Sequence, residues 1–280
     1  MTWWCAATDA PWSWAWRAYP GVWLFVGLLA VGYWRWRVRT EGETPGTWPG
    51  TRVASFVLGL LLVWAALDWP IGALGGGYLA SLHTVQWLLL AQVAPPFLLL
   101  GVPPRAWQRL AGRPRWGPFL HAMAGFLPGL LIFNAVMLLT HVPAITDGLM
   151  RSQLGAFLVD ALWFASGLAL WWPVTAPAPL GRMSEPAKMG YLFAATILPT
   201  APAAFLTFAS YPVYSLYELA PRVGGISARS DQQMAGLLMK AIADPIMWLS
   251  MGILFYRWSA AERRVEAAEA EARLAARRSG

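Results

Sequence analysis

Charge is what this sequence has least of. Asp, Glu, Lys and Arg make up 12% of its 280 residues, against roughly 25% in an ordinary soluble domain. Beside a hydrophobic share of 58%, that deficit excludes a soluble globular domain and predicts a polytopic membrane protein. Cysteine is nearly absent. Cys5 alone excludes an internal disulfide, a CxxC metal or redox motif and a thiolate cluster. Histidine is confined to His83, His121 and His141, and of 21 basic residues only Lys188 and Lys240 are lysines. The formal net charge of +7 sets orientation and meets anionic headgroups in a chain of this composition. No polar face alternates aromatic and basic residues, so no nucleic-acid partner is expected. The motifs of hydrolases and nucleotide enzymes are also missing, including HExxH, the nucleophile elbow and the phosphate loop. No catalytic residue is assigned and no enzyme is expected. The opening MTWWCAATDAPWSWAWRAYP lacks a basic stretch ahead of an apolar run, so it does not read as a cleaved signal peptide.

What the chain does have is long apolar runs. Seven segments are long enough to span a bilayer, near 19–36, 53–72, 78–101, 119–140, 154–173, 188–209 and 234–256. Sixteen basic residues fall in the first, third and fifth loops and the tail, against four on the other side (Arg17, Arg151, Arg222 and Arg229). The positive-inside rule then places the N-terminus outside and the C-terminus in the cytoplasm. The fold class is therefore all-α, a seven-transmembrane helical bundle. It divides into a Trp-rich interfacial N-terminus over 1–18, a seven-span membrane domain over 19–257 and a charged cytoplasmic helix over 258–280. The loop WPIGALGGG predicts a tight outer turn. The outer connection over 210–233 is long enough to be a binding or mobile loop. In the tail, Ser259 and Glu262 have capping-box spacing unless the last span simply continues, and Glu269 with Arg273 forms an i,i+4 pair.

The third segment, YLASLHTVQWLLLAQVAPPFLLLGVPP, carries His83 and Gln86 at membrane depth, where polar groups cost free energy and face a partner, cavity or ligand. Its Pro95-Pro96 pair predicts a kink or break near Val93–Pro96. Pro199 and Pro202 predict a second kink in the sixth span. Most polar and sulfur-bearing groups gather towards the outer leaflet: Asn134, Met137, His141, Met150, Asp160, Asp231, Met234, Met239 and Lys240. Imidazole and thioether suit Cu(I). His83, His141, Met137 and either Met150 or Met234 could hold it if the third, fourth and seventh spans adjoin. The other reading of the same residues is polar glue between helices. Lys240 and Asp244 are one turn apart and read as an ion pair, with a proton relay or ligand counter-ion as the alternative. Asp160 is costly unless paired, and a histidine or Lys240 is its expected partner.

Several stretches together resemble the CtaG-type cytochrome c oxidase assembly factors, first described for a caa-type oxidase. These are SFVLGLLLVWAALDWP, the His83 segment with its His-x-x-Gln helix running into Ala-Pro-Pro and Leu-Gly-x-Pro, THVPAITDGLM, WWPV, DQQMAGLLMK and FYRW. The likeness runs from about Trp23 to Trp258. It implies a seven-span protein of the bacterial inner membrane, needed to mature a haem–copper oxidase and linked to copper. His83 matches the family's first histidine in this helix, and His141 the histidine before the outer Pro. Trp87 and Asp160 stand where many members carry further histidines, which thins the site. Three roles stay open: a copper-handling assembly factor partnered by oxidase subunits, a copper or small-ligand transporter, and a metal-free scaffold for those subunits.

Overall fold

The computed structural model describes residues 2–43, 46 and 48–279, and every regular element among them is helical. The first expected span lies in α1 (Pro20–Glu43) and the second in α2 (Gly50–Leu67). The Gly-rich turn after it is a short helix, α3 (Ile71–Gly77). The third span is α4 (Ala80–Trp87), a π-helical turn (Leu88–Val93) and α5 (Ala94–Gly101) in continuous succession. The basic loop that follows folds into α6 (Pro104–Ala111). The fourth span is two helices, α7 (Trp116–Met123) and α8 (Phe126–Leu139), bent by 79°. After α9 (Pro143–Met150) comes the fifth span, α10 (Gln153–Thr175). The sixth is α11 (Glu185–Ile197) with α12 (Thr200–Phe208), interrupted at Leu198–Pro199 as the prolines predict. The outer connection holds α13 (Ser215–Leu219), and the chain ends in α14 (Ala228–Ala241) and α15 (Ala243–Ser279).

Among the described residues, five helical stretches are long and apolar enough to cross a membrane, and the bent α7–α8 pair makes a sixth if it is one span. The remaining expected span, α1, is not in that set. Its second half carries Trp34, Arg35, Trp36, Arg37 and Arg39, which dilute the apolar run of its first half.

The Pro95-Pro96 pair does not break its helix. The π turn directly before it widens the coil, so the two missing donors fall in the first turn of α5, where Pro is tolerated. Glycine then lets this span sit close to its neighbours, as in membrane bundles generally. A Cβ on Gly101 would lie 2.6 Å from Phe56 Cβ on α2. One on Gly167 of α10 would lie 2.6 Å from Ala91 Cα in the π turn.

The N-terminal segment is not purely interfacial. Trp14 and Trp16 are exposed, but Trp4 is 1% exposed and Cys5 2%, both within the main core. Gln153 Oε1 accepts the Trp3 N–H at 2.6 Å, and the Ala7 N–H reaches Met150 O at 3.0 Å, strapping the segment over α9 and α10. At the other end α15 runs uninterrupted through Ser259 and Glu262, so no capping box forms. Arg273 and Glu269 do pair, at 3.4 Å on an exposed face, where such a pair contributes little. Met1 and Gly280, the outermost residues of the two expected terminal segments, lie outside the described residues.

Candidate functional site

The N-terminus of α4 starts the site, because Leu79 cannot cap it. Asp231, on α14, does so instead: its carboxylate accepts the Ala80 N–H at 2.6 Å, the Ser81 N–H at 3.2 Å and the Ser81 hydroxyl. This fixes α4 against α14 and sets the register of His83. Below the cap, a cavity of about 30 Å³ is lined by His83, Thr84 and Trp87 of α4, by Thr140, His141 and Thr146, by Trp163, Tyr214 and Tyr217, and by Met239. That volume holds a single ion or a water or two. None of the lining side chains carries a carboxylate.

His83 stacks obliquely between two rings, Trp163 at 4.6 Å and Tyr217 at 5.8 Å between centroids. Both its ring nitrogens are buried and neither makes a hydrogen bond of good geometry, although the Gln86 amide, one turn on, lies close enough to act on the ring. His141 is different. Its Nδ1 lies 2.7 Å from Met137 O, and a carbonyl only accepts, so Nδ1 carries the proton and Nε2 keeps a free lone pair. Burial holds the His141 pKa below the usual histidine value, which keeps that lone pair available. The cavity roof is the 210–233 connection. Tyr217 donates its hydroxyl to Gly75 O at 2.7 Å and Tyr214 to His141 O at 3.2 Å. Asp147 of α9 caps α13 by accepting the Ser215 N–H at 3.0 Å and the Leu216 N–H at 3.1 Å. The loop read as binding or mobile is a tied-down lid.

The structure brings His83 and His141 to one cavity, and the methionine beside them there is Met239. Met239 is 1% exposed and lines the cavity, whereas Met234 is 50% exposed on a different face of α14. Asp231, Ala235 and Met239 follow each other at four-residue steps, so they share one helical face that Met234 leaves. Met137 and Met150 are buried in the core without reaching the cavity, and Met137 acts through its carbonyl. Among the described residues no group of three or more His, Cys, Asp or Glu could hold a metal. The donor set is two imidazoles and one thioether, which suits a soft monovalent ion of low coordination number.

The other polar residues sit elsewhere. Asp160 meets neither a histidine nor Lys240: Trp4 Nε1 donates to its Oδ2 at 2.8 Å, and its Oδ1 is unpartnered. Lys240 and Asp244 form the expected pair at 2.6 Å, and Lys240 also donates to Thr200 Oγ1 at 2.8 Å. Gln86 is buried behind Gly75, whose missing Cβ makes room for its Oε1. Asn134 donates to Leu130 O at 2.8 Å, one turn back on α8. These five residues lie outside the cavity lining. Nothing in the sequence singles out Trp4, because a tryptophan near the N-terminus of a membrane chain reads as interfacial.

The Trp4–Asp160 contact has a measurable consequence. Trp4→Phe keeps the edge contacts to Phe25 and Phe157 but leaves both Asp160 oxygens without a donor. It should cost about 1–3 kcal/mol in thermal unfolding of the detergent-solubilised protein. Adding Asp160→Leu should recover most of that loss, since removing both partners of a buried bond is nearly neutral. A single mutant as stable as the parent would mean the contact is not formed.

A model of the cytochrome c oxidase caa3 assembly factor family (Caa3_CtaG) matches residues 27–261. No curated protein and no solved structure matches the chain. The matched stretch takes in all the cavity-lining residues and nearly the whole helical bundle, leaving out the N-terminal strap with Trp4 and the last turns of the tail. The chain belongs to the caa3 cytochrome c oxidase assembly factor family.

Proposed function

We propose that this chain helps to mature a haem–copper oxidase in a bacterial cytoplasmic membrane by holding Cu(I), as cargo, in the cavity between α4, α10 and α14. In this reading α1 is the seventh span, its apolar first half crossing the bilayer and its arginines resting at the inner surface. The N-terminus lies outside, the membrane domain covers 19–257, and α15 carries the charged segment 258–280 into the cytoplasm. The cavity then opens towards the outer leaflet, where a nascent oxidase subunit would receive the ion. The observation that carries the copper reading is His83. A buried imidazole with both nitrogens unpaired is expensive, and one that lines a small cavity together with His141 and Met239 would be satisfied by a soft cation there. Transfer would require Tyr214 and Tyr217 to lift with α13.

Copper content after Cu(I) loading of the purified protein tests this. The parent should hold copper stoichiometrically, and His83→Ala with His141→Ala should hold none. Met239→Leu should weaken binding about tenfold or more, the scale of losses at metal sites, while Met234→Leu should leave it unchanged. No copper above background in the parent would sink the copper reading and leave the metal-free scaffold. Copper movement into vesicles would favour the transporter.

A further inference from the structure

A second cavity opens at the end of the bundle that carries the basic loops. Its volume is about 680 Å³, and it is walled by α5, α10, α11 and α15. Volumes of this size take small organic ligands. Most of the wall is apolar, including Pro96, Phe97, Leu249 and Ile253. Two features break that pattern. At the rim stand Arg52, Lys188 and Arg257, opposed by Glu185 alone. Glu185 is already engaged by Lys188 at 2.7 Å. Arg52 donates to Leu100 O at 2.6 Å, so its charge meets a helix C-terminus and no carboxylate. No ion pair involving Arg257 is formed among the described residues.

Deeper in the cavity are Gln92 and Trp171, which are 2% and 3% exposed. Neither Gln92 Oε1 nor Trp171 Nε1 has a hydrogen-bond partner. An acceptor and a donor are thus left without partners on two residues that line one largely apolar space. Gln92 lies eight residues before Leu100, which at 1.5 Å per residue puts it about 12 Å inward from the Arg52 guanidinium. A plain acyl chain would satisfy the rim and leave both inner groups orphaned.

We infer that this groove binds a membrane amphiphile with an anionic head at Arg52, Lys188 and Arg257, an apolar body, and a hydroxyl or carbonyl group that meets Gln92 and Trp171. A hydroxyl is the better match, because it donates to Gln92 Oε1 while accepting from Trp171 Nε1. The site is separate from the His83 cavity, with which it shares no lining residue. It does not depend on copper.

The test uses the full chain in detergent with three probes: 10-hydroxystearate, whose hydroxyl is set back from its carboxylate at a matching separation, stearate, and methyl 10-hydroxystearate. The hydroxy acid should bind about fivefold to tenfold more tightly than stearate, the worth of one buried hydrogen bond. Its methyl ester should bind more weakly than the acid. Gln92→Leu should erase the preference for the hydroxy acid while leaving stearate affinity intact. Arg52→Gln with Arg257→Gln should erase the preference for acid over ester. Stearate binding and an unchanged melting transition report that each variant is folded. Equal affinity for hydroxystearate and stearate in the parent would overturn the inner contact. Equal affinity for acid and ester would overturn the rim. Binding of none of the three would overturn the site.

Discussion

Gly167→Val is expected to destabilise the protein by about 3 kcal/mol, the upper part of the range for overpacking a close-packed interior. The reason is what the new side chain would meet. A Cβ at this position would lie 2.5 Å from Ala91 O and 2.6 Å from Ala91 Cα. These are backbone atoms of the π turn, so no rotamer change relieves the clash. α10 and the third span would have to separate. The consequence reaches both cavities, because Trp163 and Trp171 flank Gly167 at four-residue steps on the same face of α10. Trp163 walls the His83 cavity, and Trp171 the basic-rimmed groove. The variant should therefore melt lower and lose affinity for Cu(I) and for the hydroxylated amphiphile together. Gly167→Ala should show a smaller loss of the same kind. A valine variant that melts with the parent would mean that the two helices are not in contact there.

What the sequence makes legible depends on whether the signal is local. Helical class follows from the length of the apolar runs, and the Lys240–Asp244 pair from i,i+4 spacing alone. His83 and His141 were both readable as candidates because an imidazole at membrane depth is costly wherever it points, and they line one cavity. The sulfur needed one more step. If Asp231 faces inward, four-residue steps carry that face to Ala235 and Met239 and away from Met234, so the spacing itself indicates which methionine of α14 lines the cavity. The Trp4–Asp160 bond joins residues 156 apart, and no periodicity reports such a contact. The Pro95-Pro96 pair misleads for another reason. Proline forbids a donor, but it does not say whether the helix breaks or widens ahead of it, and packing against Gly167 goes with the second outcome. Nor does length alone reveal that the outer connection is held as a lid by Asp147 and two tyrosine hydroxyls.

Asp231→Ala should link stability to the site directly. The carboxylate takes two backbone N–H groups from the first turn of α4 and the Ser81 hydroxyl. Alanine leaves those buried donors without an acceptor, and Leu79 at the cap position offers none. The expected cost is about 2 kcal/mol, the upper end of measured N-cap losses, because this cap is buried and reaches across from another helix. Asp231→Asn retains one acceptor oxygen and should lose about half as much. Since α4 carries His83 one turn further on, a frayed first turn also releases the imidazole from its place between Trp163 and Tyr217. Cu(I) affinity should then fall although no proposed ligand has been touched, and Asn should restore it partly. If alanine lowers the melting temperature but leaves copper binding whole, the cap stabilises the bundle without positioning His83. If neither quantity moves, α4 does not depend on α14 for its start.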